Sequence, residues 1–218
     1  GEEVDLAYEL QLLAQRTKQR MERTSAAKWA SDDPLVYIEA AADDSGLQWD
    51  VFPHLRQTLK GLREPHNIAV AAPTDAGKTS LLCELAVCFA KQAQHVFPDQ
   101  PLLYLLNEGT AEGVTPRMLQ TALHVNNNEL LRLARAGNLR QKFADIVGRW
   151  DAIRLVNIHG MKLSQVSRII EAHKPYMVIS DMTGRITANS NHSGGSNDIG
   201  QLEEVWNSMR ELAAIQHF

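Results

Sequence analysis

The sequence predicts an α/β domain on a mainly parallel sheet, preceded by an N-terminal helical arm, and three observations carry that reading. From residue 66 onward, four short apolar runs alternate with segments of helical periodicity, as strands do when helices cross over between them. The first run leads into a glycine-lysine-threonine turn that opens the next helical segment. Ahead of all this, residues 3–28 place Leu6, Leu10, Leu13 and Met21 at near-helical spacing among Gln11, Gln15, Arg16, Lys18, Gln19 and Arg20, the pattern of a lone amphipathic helix.

Taken in order, the arm ends where Ser31, Asp32, Asp33 and Pro34 break the helical pattern. This divides the chain into an arm and linker, residues 1–33, and a main domain, residues 34–218. The arm's apolar stripe has two possible covers, its own domain or a neighbouring subunit. The runs Ile68 to Ala72, Leu102 to Leu106, Ile153 to Ile158 and Tyr176 to Ile179 are short, rich in branched or aromatic residues and bounded by turn signals, which predicts buried strands. Leu81 to Gln94, Pro116 to His124, Glu129 to Ala136 and Ser164 to His173 are the predicted helices between them, several ending near Gly or Pro. A last helix spans Gln201 to Gln216, with Leu202, Val205, Met209, Leu212 and Ala213 on one side. Gly184 to Gly200 carries Asn189, Asn191, Gly194, Gly195 and Asn197 with almost nothing apolar and is expected to be a mobile surface loop.

Composition narrows the function classes. With 218 residues, 44% of them apolar and 22% charged, the chain is an ordinary globular one, which excludes collagen, low-complexity and disulfide-scaffold classes. Twenty-two Lys and Arg against 26 Asp and Glu leave a net charge of −4, so any polyanion site must be local. Cys83 and Cys88 fall on different faces of one predicted helix with no CxxC pair, and buried reduced thiols are expected. The eight histidines show no HExxH or paired metal spacing, and His192 sits in the polar loop. No apolar run approaches the roughly 18 residues that span a bilayer, and the leading Gly-Glu-Glu-Val-Asp lacks signal-peptide features. A soluble intracellular protein is expected.

The strongest chemical signal is Ala72-Pro73-Thr74-Asp75-Ala76-Gly77-Lys78-Thr79, a phosphate-binding loop pattern with Ala72 in place of its first glycine. Such a loop aims backbone N–H groups at phosphate oxygens, and the helix it opens adds a partial positive charge. Ala72, Pro73, Thr74, Asp75, Ala76, Gly77, Lys78, Thr79 and Ser80 are therefore the candidate nucleotide-binding residues, with Lys78 on the β- and γ-phosphates and the Thr79 hydroxyl on Mg²⁺. Two acids stand at predicted strand ends. Asp181 follows Met177-Val178-Ile179-Ser180 and is the candidate metal carboxylate, while Glu108 follows Leu103-Tyr104-Leu105-Leu106-Asn107 and is the candidate water-activating group. A helix-cap or turn role is the alternative for each.

The loop Ala71-Ala72-Pro73-Thr74-Asp75-Ala76-Gly77-Lys78-Thr79 resembles that of DnaB-type replicative helicases, in which alanine also replaces the first glycine. Leu105-Leu106-Asn107-Glu108, Ala134-Arg135-Ala136-Gly137-Asn138-Leu139, Ile153 to Ile158, Leu163-Ser164-Gln165-Val166, Val178-Ile179-Ser180-Asp181 and Leu202 to Ala214 keep that family's order. The resemblance implies a RecA-like P-loop NTPase using ATP and Mg²⁺, assembled as a hexameric ring around single-stranded DNA, with a primase or helicase loader as further partner. It also implies a cytoplasmic setting, in a bacterial cell or phage-infected host, and no membrane. The Gly184 to Gly200 loop would face the DNA channel, with Arg185, Asn189 and Asn191 as candidate phosphate contacts. Met182-Thr183-Gly184 replaces the family's usual tyrosine-leucine-glutamine, which suggests a phage-type or otherwise divergent member. Phe218 precedes the family's sensor strand and arginine finger, so the expectation is a domain incomplete on its C-terminal side. Two rivals stay open, a nucleotide-gated assembly or loader protein without unwinding activity and a metabolic kinase. Glu108 favours water over a substrate hydroxyl as the acceptor.

Overall fold

The computed structural model describes residues 34–64, 66–73, 75–187, 198–216 and 218, with six positions between 10 and 18. Among these residues the sheet has three strands, β1 (Leu102–Leu106), β2 (Ile153–Asn157) and β3 (Met177–Asp181), all parallel and ordered β2-β1-β3. The described helices are α1 (Pro34–Ala42), α2 (Pro53–Thr58), α3 (Lys78–Ala93), α4 (Ala111–Leu123), α5 (Asn127–Arg135), α6 (Leu139–Val147), α7 (Leu163–His173) and α8 (Asp198–Gln216).

All five residues of the central strand β1 are buried, because helices cover both faces of a parallel sheet. Leu102, Tyr104 and Leu106 join one core with Cys83, Leu85, Ala86, Phe89 and Ala90 of α3, Val114, Met118 and Ala122 of α4, and Phe143 of α6. Leu103 and Leu105 join the other with Leu163, Val166 and Ile170 of α7 and Val205, Met209 and Leu212 of α8. The three-to-four spacing on each helix is what directs one stripe to the sheet. Asn126 caps α5 by accepting a hydrogen bond from the Glu129 N–H at 3.0 Å. Both cysteines are free and buried, and burial pushes the Cys83 thiol up to about 11.

Several expectations need correction. Ile68 to Ala72 is not a strand: the segment is extended but pairs with nothing, and Ile68 and Val70 are 46% and 41% exposed. It lines, together with β3, a cavity of about 1370 Å³ that also meets Leu82, Phe89, Trp206 and Phe218. Strand propensity without a partner ladder gives no strand, and no described residue fills the space between this segment and β3. Helix α4 begins five residues before Pro116, which lies inside it. Pro116 lacks one intrahelical N–H bond, and Val114, Met118, Leu119 and Ala122 hold the helix on the core regardless. Helices α1, α2 and α6 were not anticipated. The Gly184 to Gly200 segment opens on a 3₁₀ turn (Thr183–Arg185), and Ile186 is 3% exposed within the second core. It also closes on the first turn of α8.

Asn189, Asn191, His192, Gly194, Gly195 and Asn197 lie outside the described residues, as do Thr74, Leu6 and Met21 and most of residues 1–33. In the arm, Leu10 and Leu13 are 58% and 59% exposed. No described helix is long and apolar enough to cross a membrane.

Candidate functional site

The loop before α3 turns through two left-handed steps, Asp75 at φ 59° and Gly77 at φ 84°. Aspartate tolerates this region and glycine enters it freely. A Cβ at Gly77 would meet nothing within 4 Å, so the backbone angle, not crowding, is what asks for glycine. Gly77 is the N-cap of α3 and supplies no side-chain hydrogen bond. The cap residue itself thus offers the first-turn amides no side-chain acceptor, which suits a helix N-terminus to an anion. Lys78 folds back over the loop, its Nζ donating to the carbonyls of Ala72 at 2.8 Å and Pro73 at 2.7 Å. This places an ammonium against the same backbone that would hold the phosphates.

Register brings in the acids. Leu106 pairs with Asp181 across β1 and β3, so the two strands end side by side and Glu108 lies two residues past the common edge. Asp181 is 3% exposed and its Oδ2 accepts a hydrogen bond from Thr79 Oγ1 at 2.8 Å, joining positions 102 residues apart. Thr79 and Asp181 thus form a pair of hard oxygen donors, one carboxylate and one hydroxyl, beside a phosphate loop. This fits Mg²⁺, which takes one or two carboxylates and completes its shell with phosphate and water. Among the described residues no cluster of three His, Cys, Asp or Glu offers a softer site. Glu108 is half exposed, with Arg185 Nη2 3.4 Å from its Oε1. Arg185, a candidate contact of single-stranded DNA, thus stands within reach of Glu108.

Sequence reasoning missed three contributors. Asn107 is 1% exposed and donates from Nδ2 to the Met182 carbonyl at 3.2 Å. A ring nitrogen of His159 lies 3.3 Å from the Asn107 carbonyl, so the ends of all three strands are tied together. Tyr104, wholly buried, reaches Asp181 Oδ2 with its hydroxyl at 3.4 Å. Burial, then the Asp181 charge, raises its phenol well above the ordinary range. A polar residue following five apolar ones, and a phenol inside a run of leucines, were the available signals.

The cavity of about 1370 Å³ touches Lys78 and Asp181, but most of its wall is apolar. It exceeds the roughly 300–1,000 Å³ of a small-molecule pocket and is mainly the gap beside β3. Its polar end, at Lys78 and Asp181 with Thr79 hydrogen-bonded to the latter, is the candidate phosphate site. No curated protein matches the chain. Residues 32–216 match the family described as AAA domain, nearly all of the described domain, and the chain therefore belongs to that family, as a RecA-like P-loop ATPase.

Proposed function

We propose that this ATPase domain is the motor of a DnaB-type replicative DNA helicase, which hydrolyses ATP and moves along single-stranded DNA as a ring. The observation that carries the nucleotide half of the reading is the Thr79–Asp181 contact beside the loop that holds Lys78. In this reading the Lys78 ammonium exchanges the Ala72 and Pro73 carbonyls for β- and γ-phosphate oxygens, and the amides of α3's first turn take the remaining charge. Mg²⁺, when bound, neutralises phosphate charge, and Thr79 with Asp181 would hold it. Glu108 accepts a proton from the attacking water once its carboxylate is free of Arg185. The DNA half rests on the resemblance of the loop and of the motif order, with Arg185, Asn189 and Asn191 on the phosphate backbone, a hexameric ring as the assembly, and a primase or loader as further partner.

The test is ATP turnover with and without single-stranded DNA, paired with strand displacement on a forked duplex. The expected outcome is DNA-stimulated turnover with strand separation. Lys78→Ala is expected to abolish tight ATP binding, and unchanged affinity would overturn the nucleotide site. Turnover without strand separation would favour the nucleotide-gated assembly or loader reading, and phosphoryl transfer to a small hydroxyl substrate the kinase reading.

A further inference from the structure

β1 is made of four leucines and one tyrosine, all fully buried. A buried phenol needs a partner for its hydroxyl, and two groups face it here, the Cys83 thiol of α3 and the Asp181 carboxylate of β3. Tyr104 pairs with Ile179, while Asp181 lies two residues further along β3, about 7 Å at roughly 3.3 Å per residue. The phenol spans that rise and brings its hydroxyl to Asp181 Oδ2, 3.4 Å away. A leucine here would fill the core but leave this oxygen with Thr79 alone as its described donor.

A carboxylate that is 3% exposed depends on hydrogen-bond donors to stay fixed in one orientation. Its two described donors act on the same oxygen, Oδ2, yet differ in attachment. Thr79 is on the first turn of α3, directly after the phosphate loop, and its hydroxyl is also the candidate cation ligand. Tyr104 is on the central strand, packed on both faces. The tyrosine is thus the donor held by the sheet and not by the phosphate loop.

We propose that Tyr104 is a positioning residue: its hydroxyl orients the Asp181 carboxylate for the divalent cation that accompanies the nucleotide. This rests on the nucleotide-site reading above. The experiment measures binding of a non-hydrolysable, fluorescent ATP analogue across a Mg²⁺ titration and in EDTA, for the wild type, Tyr104→Phe, Asp181→Asn and the double variant.

Tyr104→Phe keeps the ring and removes one oxygen. Its affinity in EDTA is expected to stay at the wild-type value while half-saturating Mg²⁺ rises by about tenfold, the usual scale for an outer-shell partner of a metal ligand. In the Asp181→Asn background the same change is expected to do nothing further. Placing 3-fluorotyrosine at position 104 strengthens the donor without altering the fold, and is expected to move half-saturation the opposite way, which also decides the matter if Tyr104→Phe unfolds. An unchanged Mg²⁺ curve for Tyr104→Phe, or an equal loss in EDTA, overturns the proposal. A wild type whose analogue binding ignores both Mg²⁺ and Lys78→Ala overturns the nucleotide site itself.

Discussion

Glu108 stands beyond the end of β1, half exposed, with the Arg185 guanidinium 3.4 Å from its carboxylate. An exposed pair of this kind is worth about 0.2–1 kcal/mol, enough to hold the carboxylate away from water part of the time but not to lock it. Arg185→Ala is therefore expected to raise DNA-free ATP turnover by up to about fivefold, and added salt is expected to shrink the difference between the two proteins. A fall in turnover would mean that Arg185 contributes to the chemistry. Glu108→Gln preserves shape but cannot take a proton, so turnover is expected to drop by about 10²–10⁴ while analogue affinity holds. Near-wild-type turnover would make Glu108 a structural residue.

Helix α8 shows how a single stripe meets two environments. Val205, Met209, Leu212 and Ala213 are buried, whereas Leu202, on the same predicted side, is 46% exposed. Leu202 lies along the cavity beside β3, where the sheet offers nothing to cover it. Two chemically identical substitutions on one helix are therefore expected to differ. Leu212→Ala should cost about 2–5 kcal/mol in urea unfolding, since it empties a fully buried site, and Leu202→Ala about 0.5 kcal/mol or less. Equal costs would mean that the α8 N-terminal turns are covered in solution. The same gap separates Ile68 to Ala72 from the open edge of β3, so this apolar segment forms no ladder with it.

At the scale of the whole molecule, the net charge of −4 leaves no field to draw in nucleic acid, so a single copy is expected to hold single-stranded DNA weakly and an assembly to hold it by avidity. The arm is the proposed source of assembly: Leu10 and Leu13 are exposed in one chain, and a stripe of such residues gains by burial against a neighbour. Deleting residues 1–30 is expected to lower the mass seen in light scattering without lowering the thermal midpoint of the domain. An unchanged mass would place the contacts elsewhere.

Period and turn chemistry are local properties, so the amino-acid sequence by itself determined β1, β2 and β3 to within two residues and the helical character of α3, α4, α5, α7 and α8, and it singled out the loop with Lys78 and Thr79, and the acids Glu108 and Asp181, as candidates. Pairing, burial and convergence are not local. Only the tertiary structure decided that Ile68 to Ala72 has no ladder, that Ile186 enters the core from a polar stretch, and that Leu202 stays exposed while Leu212 does not. It also decided which groups meet. The Tyr104–Asp181 contact depends on a register between strands some 75 residues apart, printed in no pattern of either strand alone. The placement of Arg185 at Glu108 depends on where a 3₁₀ turn sets its one cation. A side chain's partner is fixed by what the rest of the chain brings within 3–4 Å, and that is a property of packing.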